Sequence, residues 1–197
     1  MINAQPRLRC GTIIWKRRCR KKEGSMSRNL VIYYSRRGQN YFGGKIVDIE
    51  KGNAEQLAEY ISEATGADVF EVRTVEDYPE DYTECTEVAQ KELKMNARPQ
   101  LEEYLNTVED YDNIFVVGPC WWGTYPMAMF SLLEEIDFTG KKVLPVMTHE
   151  GSGMGSAERD LKKMCRGAKV RRGLAVQGSQ VPAARDTVAA WAVKNAK

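Results

Sequence analysis

The sequence lacks the features that define several classes of protein. Its 197 residues contain no apolar run near the roughly 18–20 residues that a membrane-spanning helix requires. There is one histidine and no Cys-x-x-Cys pair, which argues against a zinc site. The five cysteines are scattered and odd in number, so they form no disulfide framework. This use of cysteine is typical of a reducing compartment, and we expect a cytoplasmic protein.

Charge is distributed unevenly along a chain of otherwise ordinary globular composition. Residues 1–25 hold eight basic residues and one acidic residue, whereas the rest of the chain holds 21 basic and 26 acidic residues. The net charge of +2 therefore conceals an acidic body. An acidic body disfavours nucleic acid or an anionic membrane as its partner.

The basic segment 1–25 has three interpretations. It is a nucleic-acid or membrane arm, a disordered extension, or a stretch that is not natively translated. Its apolar run at 12–15 is too short for a signal peptide. Residues 22–24 can be encoded by a purine-rich ribosome-binding sequence just upstream of Met26. We therefore expect Met26 to be the natural start and 26–197 to form the domain, which the intact mass from the native host tests.

The body alternates between strand and helix patterns. Short apolar runs rich in β-branched residues predict five strands, at 29–34, 68–73, 114–117, 143–147 and 170–176. Helical patterns follow them, from Asn53 to Gly66, from Pro79 to before Pro99, and at 127–135, 156–165 and 181–197. Five such units predict an α/β fold, a three-layer doubly wound sheet of five parallel strands. Pro145 is a misfit in the fourth strand because it removes one ladder hydrogen bond.

Three unusual loops follow strands one, three and four, at 35–41, 118–127 and 148–155. All three leave the carboxyl ends of parallel strands, which is where open α/β sheets bind ligands. The second contains Trp-Trp-Gly-Thr and the third Thr-His-Glu-Gly-Ser-Gly. No Walker-type phosphate loop and no Gly-x-Ser-x-Gly elbow occurs, and the glycines at 151–155 do not have the dinucleotide spacing.

These loops resemble those of the flavodoxin-like family, over residues 29 to 197. The resemblance is greatest to short FMN-binding, flavodoxin-type proteins of anaerobic and fermentative bacteria. It implies the strand order 2-1-3-4-5, which places strands one, three and four side by side. The three loops then converge on one site, and the implied cofactor is FMN.

Under this resemblance the first loop holds the phosphate of FMN. Ser35 and Asn40 offer side-chain hydrogen bonds, and Gly38 permits close approach of the backbone. Arg37, or alternatively Arg36, adds positive charge. The other interpretation of this loop is a plain surface turn.

The chain departs from the family pattern after this loop. Residues 41–51 intervene before the helix start, whereas the usual loop passes straight into its helix. Residues 41–48 could form a small hairpin. Asn53 is expected as the N-cap, with Gln56 at the capping-box position. The phosphate cradle is then divided between residues 35–40 and the helix start at Asn53 and Ala54.

The second loop is expected to hold the isoalloxazine ring. Trp121 or Trp122 stacks on the ring, unless both tryptophans belong to the core. Gly123 is the candidate for a peptide whose carbonyl meets N5–H of the reduced flavin, because glycine makes such a peptide flip cheap. The neighbouring positions that complete this predicted wall are Pro119, Thr124 and Met127. Cys120 has no second cysteine near it in sequence and is expected to be a small, half-buried filler.

The third loop is expected to offer polar groups to the pyrimidine side of the flavin. The residues assigned to it are Thr148, His149, Glu150, Gly151, Ser152 and Gly153. His149 either contacts the flavin or a substrate, or fixes its own loop. No catalytic residue is assigned, because the flavin supplies the chemistry.

Three functions remain open at this stage. The first is an FMN-binding electron carrier that docks redox partner proteins, with the acids at 76–87 as a docking face. The second is an FMN-dependent NAD(P)H oxidoreductase acting on a quinone, a nitro compound or another small acceptor. The third is a binding module that has lost its flavin. We expect no nucleic acid, metal or membrane span, and the sequence leaves open a monomer or a dimer.

Overall fold

The computed structural model describes residues 28–197, so the predictions about residues 1–25 and about the start at Met26 lie outside the described part of the chain. Eight strands are present within it: β1 (Asn29–Tyr33), β2 (Gly38–Phe42), β3 (Lys45–Ile49), β4 (Asp68–Glu71), β5 (Asn113–Pro119), β6 (Lys142–His149), β7 (Lys169–Val170) and β8 (Leu174–Gln177). The helices are α1 (Asn53–Thr65), α2 (Tyr82–Met95), α3 (Met127–Leu133), α4 (Ala157–Met164), α5 (Arg185–Asn195) and one 3₁₀ helix (Gly178–Ala183).

The main sheet is parallel and has the order β4-β1-β5-β6-β7, with β8 also paired to β6. β4 is the second of the predicted strands, and β7 and β8 are two halves of the fifth. The predicted order 2-1-3-4-5 is therefore confirmed. Strands β1, β5 and β6 are buried along almost their whole length, which explains their continuous apolar sequences.

The fifth strand is divided at the point that faces Pro145. The Arg171 N–H donates to the Val143 carbonyl. The backbone N–H and C=O groups of the odd-numbered residues of β6 therefore face the fifth strand. Pro145 therefore lacks a donor on this side. The fifth strand leaves the ladder here, and the Gly173 N–H donates to Glu158 at 2.8 Å instead. The prediction of one continuous strand was wrong for this reason.

The helices cover both faces of the sheet. Buried residues of α1 and α5 pack against one face in a single apolar cluster. Buried residues of α3 and α4 pack against the other face, and α2 lies beside α3. The expected three layers are present. No helix within residues 28–197 combines the length and apolarity needed to cross a membrane.

Two helices begin later than predicted. Asp81 caps α2 by accepting the Glu84 N–H at 3.0 Å, so this helix starts after Asp81 and not at Pro79. The predicted helix at 181–197 begins as the 3₁₀ helix, which contains Pro182, and becomes α5 at Arg185. The α1 helix ends at Gly66 as predicted, in the left-handed conformation that favours glycine.

The expected hairpin exists but begins before residue 41. Strands β2 and β3 pair antiparallel, and Gly43 and Gly44 form the turn with positive φ. Because β2 starts at Gly38, residues 38–41 of the predicted first loop belong to this hairpin, including the candidate phosphate ligands Gly38 and Asn40. The first loop is therefore partly a strand, and it begins at the carboxyl end of β1.

Candidate functional site

A cavity of about 280 Å³ lies at the carboxyl ends of β1, β5 and β6, where the three predicted loops meet. Ten of the predicted residues line it: Ser35, Asn40, Asn53, Ala54, Pro119, Trp121, Thr148, His149, Glu150 and Ser152. Five further residues complete its wall: Arg36, Tyr41, Cys120, Tyr82 and Gly178. The structure therefore brings together the three loops, the α1 start and a fourth segment after β8.

The N-terminus of α1 opens into this cavity. Gly52 is the N-cap, one residue before the predicted Asn53, and it has no side chain to cap the helix. Ser35 supplies the cap from a distant part of the chain, because its Oγ accepts the Glu55 N–H at 3.0 Å. A Cβ at Gly52 would lie 2.1 Å from this Oγ, so the close approach requires glycine.

The first two N–H groups of α1 have no acceptor among residues 28–197. They belong to Asn53 and Ala54, and both residues line the cavity. Free N–H groups at a helix start, together with the positive end of the helix dipole, form an anion-binding site. The predicted capping box is absent, since the Gln56 amide donates to the Lys51 carbonyl at 3.2 Å.

Asn53 carries the one buried side-chain polar atom without a partner in the described residues, its Oδ1. An unpaired buried acceptor costs about 1–3 kcal/mol, and such atoms are rare. This oxygen is complementary to a hydroxyl of a ligand, and rotation of the amide presents its NH₂ group to an anion. The start of α1 therefore offers unpaired N–H groups and one unpaired oxygen to a polar ligand.

The two arginines of the first loop have different positions. Arg36 lines the cavity, and its guanidinium donates to the backbone carbonyls of Gln39, Pro79 and Glu80. Arg37 lies outside the cavity. Its guanidinium pairs with Glu55 at 3.0 Å and with Glu71 at 3.4 Å. Arg36, the alternative, is therefore the arginine that lines the cavity, whereas two carboxylates hold Arg37 outside it.

The two tryptophans are also separated. Trp121 lies in the cavity and meets the rings of Tyr34 and Tyr78 edge-on, at centroid distances of 5.4 and 4.9 Å. Trp122 has a positive φ of 52° and is 52% exposed. Its indole N–H donates to the Thr86 carbonyl on α2 at 2.9 Å. The left-handed backbone at Trp122 thus turns one ring inward and the other outward.

Several predicted residues do not line the cavity. The Gly123 carbonyl accepts the Ser156 N–H at 2.7 Å and its hydroxyl at 3.1 Å, so it is directed at the start of α4. Thr124 is buried and donates to Asp160, and Met127 belongs to the core. Gly38, Gly151 and Gly153 lie on segments that border the cavity without lining it.

His149 both lines the cavity and holds its loop. The Gly151 N–H donates to His149 Nδ1 at 2.9 Å, so the neutral ring carries its proton on Nε2. Cys120 lies beside it, with its N–H bonded to the Thr148 carbonyl at 2.8 Å. Burial raises the pKa of the Cys120 thiol, which therefore stays protonated at neutral pH.

The hairpin of residues 38–49 covers one side of the cavity and is called the hairpin roof. Tyr41 of β2 stacks on Tyr82 of α2 at 6.3 Å, and the Tyr82 N–H donates to the Gln39 side chain at 2.9 Å. At the turn, the Gly43 N–H donates to Glu150. The hairpin is therefore fastened to α2 at one end and to the loop after β6 at the other.

Glu150 connects this roof to the segment after β8. Its carboxylate accepts N–H groups from Gly43 at 3.3 Å and from Ser179 at 2.8 Å. A Cβ at Gly178 would lie 2.6 Å from Asn53 Nδ2 and 2.7 Å from this carboxylate, so a larger residue there would displace both side chains. This fourth segment is not among the predicted site loops, although the fifth strand also ends at the carboxyl edge of the sheet.

Comparisons with known proteins support the α/β fold described above. The profile of the flavodoxin family matches residues 44–195. A flavoprotein candidate from Bacteroides uniformis is 24% identical, with a TM-score of 0.62 over 86% of this chain and 99% of that chain. A flavoprotein from Lactobacillus acidophilus, solved in complex with FMN, is 20% identical, with a TM-score of 0.56 over 80% of this chain and 97% of that chain. No curated protein matches. The chain belongs to the flavodoxin family.

Proposed function

We propose that this chain binds one FMN in the cavity and carries electrons between redox proteins. The observation that supports this most strongly is the joining of an open helix start to the Trp121 ring within one cavity. FMN has a phosphate at one end and a flat aromatic ring at the other. The two ends of the cavity match these two chemistries.

The phosphate is assigned to the start of α1. The N–H groups of Asn53 and Ala54 and the hydroxyl of Ser35 are the donors, and the helix dipole adds favourable potential. The Asn53 amide either donates its NH₂ group to the phosphate or accepts a hydroxyl of the ribityl chain on its Oδ1, and the second contact satisfies this unpaired oxygen. Arg36 contributes positive charge nearby, although its own hydrogen bonds go to backbone carbonyls.

The ring is assigned to the opposite end of the cavity. Trp121 supplies an aromatic surface, and Tyr34 and Tyr78 hold its orientation from behind. His149 and Ser152 supply polar groups for the ring edge. Bound FMN supplies reversible electron transfer. The protein contributes binding, orientation and exclusion of water, and the hairpin roof with Tyr41 provides the last of these.

Charge at the mouth favours the carrier over the enzyme. Tyr82 lines the cavity, and the carboxylates of its sequence neighbours Glu80, Asp81 and Glu84 are exposed. An acidic mouth repels the phosphates of NAD(P)H and attracts basic surfaces of redox proteins. The alternative, an FMN-dependent NAD(P)H oxidoreductase of quinone or nitro-compound type, requires a phosphate-bearing donor to enter this mouth.

Reduction kinetics of the FMN-loaded protein test the proposal. We expect rapid reduction by a ferredoxin–NADP reductase with NADPH, and slow reduction by NADPH alone. Replacing Glu80 and Glu84 with Lys should slow the first reaction at low salt, whereas the exposed pair Glu102 and Glu103 serves as the control for lysine substitution. Fast direct oxidation of NADPH, with turnover of a quinone, would contradict the carrier and support the enzyme.

A further inference from the structure

A strongly basic surface lies on the α4 side of this acidic domain. Between residues 159 and 172 there is one acid, Asp160, and seven exposed cations. These cations, named here the basic flank, are Arg159, Lys162, Lys163, Arg166, Lys169, Arg171 and Arg172. The segment has a net charge of +6, whereas the remaining described residues have a net charge of −11.

The basic flank is one surface and not merely a charged stretch of sequence. The Gly173 N–H donates to Glu158 Oε1 at 2.8 Å, which ties the break in the fifth strand to the first turn of α4. Lys162 lies one helical turn after Glu158, on the same side of α4. Arg171 and Arg172, at the break in the fifth strand, therefore lie near the cations of α4.

The basic flank has two carboxylates beside it, Glu158 and Asp160, and forms one ion pair in the described residues. The single ion pair joins Arg159 to Asp160 at 3.7 Å. Asp160 also accepts hydrogen bonds from the hydroxyls of Thr124 and Ser156, so it is shared. Like charges held on one face repel one another, and an anionic partner relieves this repulsion.

A complementary surface exists on the same molecule. Six exposed carboxylates precede and begin α2, and no Lys or Arg occurs from residue 74 to residue 90. This acidic flank consists of Glu76, Asp77, Glu80, Asp81, Glu84 and Glu87. None of the six forms an ion pair within residues 28–197.

The two flanks lie at opposite ends of one helical layer. Helix α2 follows β4, which forms one edge of the sheet, and α4 precedes β7 at the other edge. Both helices lie on the side of the sheet that α3 covers. A second molecule placed beside the first in the same orientation therefore presents its acidic flank to the basic flank of the first.

We propose that the basic flank docks the acidic flank of a second copy of this chain, head to tail. A long polyanion fits less well, because α4 is only about 12 Å long and the polymer would extend onto acidic surface. Residues 159–172 also contain no aromatic side chain for stacking on bases.

This arrangement has two physical consequences. The two contacting surfaces differ, so the contact is heterologous and growth continues with concentration unless a ring closes. The contact is electrostatic, so salt weakens it. It also covers carboxylates at the mouth of the cavity, so association competes with docking of a basic redox protein there.

Sedimentation velocity of the full chain tests the proposal without reference to flavin. At an ionic strength of about 0.02 M we expect the weight-average sedimentation coefficient to rise with concentration, and at about 0.5 M we expect this rise to be lost. Two charge-reversed variants are compared. One replaces Lys162, Lys163 and Arg166 with Glu, and the other replaces Glu80, Glu84 and Glu87 with Lys.

Each variant alone should lose the concentration dependence, and an equimolar mixture of the two should recover association, because each then offers what the other lacks. The control replaces Glu102, Glu103 and Glu109 with Lys, which are exposed acids outside both flanks, and it should behave as the original chain. Circular dichroism checks that every variant is folded.

Two results would overturn the proposal. The first is a single monomeric species at low salt across all concentrations, including the case in which the chain binds duplex DNA or anionic vesicles instead. The second is undiminished association of the variant with the reversed basic flank, which would assign the contact to other cations, such as those of residues 1–25.

Discussion

Glu150 and Gly43 lie far apart in the sequence, yet the Gly43 N–H donates to the Glu150 carboxylate at 3.3 Å. The same carboxylate accepts the Ser179 N–H at 2.8 Å. A residue of the third loop therefore fastens the hairpin roof to the segment after β8. Through these bonds Glu150 closes one side of the proposed flavin site, in addition to lining it.

Replacing Glu150 with Gln should speed the release of FMN. The variant replaces the carboxylate that accepts the Gly43 N–H, the Ser179 N–H and the Gln177 side-chain amide. Weakening these bonds should cost about 1–2 kcal/mol, or roughly a tenfold faster dissociation. Stopped-flow fluorescence of the released flavin measures this rate. Glu50→Gln, at an exposed position just after β3, is the matched control and should leave the rate unchanged. Equal rates in all three proteins would show that the hairpin does not retain the cofactor.

The two tryptophans should respond differently to truncation. Trp121→Ala removes the aromatic wall of the cavity and should weaken FMN binding by about 1 kcal/mol, or roughly fivefold. Trp122→Ala removes a ring that lies on α2 and should leave the affinity nearly unchanged. Titration of each apoprotein with FMN, followed by flavin fluorescence, makes the comparison. The reverse order of effects would contradict the assignment of Trp121 as the stacking residue.

Asn53→Ala should separate binding from stability. Its Oδ1 has no partner among residues 28–197, so the apoprotein loses no hydrogen bond there and its Tm should not fall. The affinity for FMN should fall, since the side-chain amide assigned to the phosphate or the ribityl hydroxyls is removed while the backbone N–H groups remain. Thermal unfolding and FMN titration give the two values. A fall in the Tm with unchanged FMN affinity would place Asn53 in a purely structural role.

The pair of Tyr78 and Glu92 predicts a specific pH dependence. The Tyr78 hydroxyl donates to Glu92 at 2.7 Å behind Trp121, and burial raises the pKa of Glu92 above its ordinary value of 4.5 despite this bond. The folded state then binds the proton more tightly than the unfolded state. Stability should therefore fall as the pH rises from 4.5 toward the raised pKa, and stay level above it.

Glu92→Gln should remove this dependence, since the amide does not titrate. Chemical denaturation at several pH values between about 4 and 7 provides the test. Glu87→Gln, on the exposed side of the same helix, is the control and should keep the slope. An unchanged slope in Glu92→Gln would assign the dependence to another group.

The sequence predicted the sheet well because its signals are local. Apolar runs such as 114–117 require burial on both faces, and the loops after them must meet at one edge. The same reasoning could not distinguish Trp121 from Trp122, or Arg36 from Arg37. Adjacent residues differ here only through a left-handed backbone at Trp122 and through the distant carboxylates of Glu55 and Glu71, which become neighbours only in the folded chain.

The break in the fifth strand and the contacts of the hairpin roof could not be predicted from the sequence, for a related reason. Pro145 signalled a lost hydrogen bond, but the response occurs in another strand, at Arg171–Gly173. Similarly, nothing near Glu150 in the sequence points to Gly43 or Ser179. These contacts join segments that are remote along the chain, so the periodicity and spacing of residues in the sequence do not predict them.

The central claim is that the cavity holds FMN with its phosphate at the start of α1. The most direct measurement compares the affinities of the apoprotein for FMN and for riboflavin, which lacks the phosphate, by calorimetry. We predict one FMN per chain and a much weaker affinity for riboflavin, with a difference that shrinks in Ser35→Ala and Asn53→Ala. Equal affinities for the two flavins would contradict the assignment of the phosphate to the start of α1, and no binding of either would contradict an FMN site in this cavity.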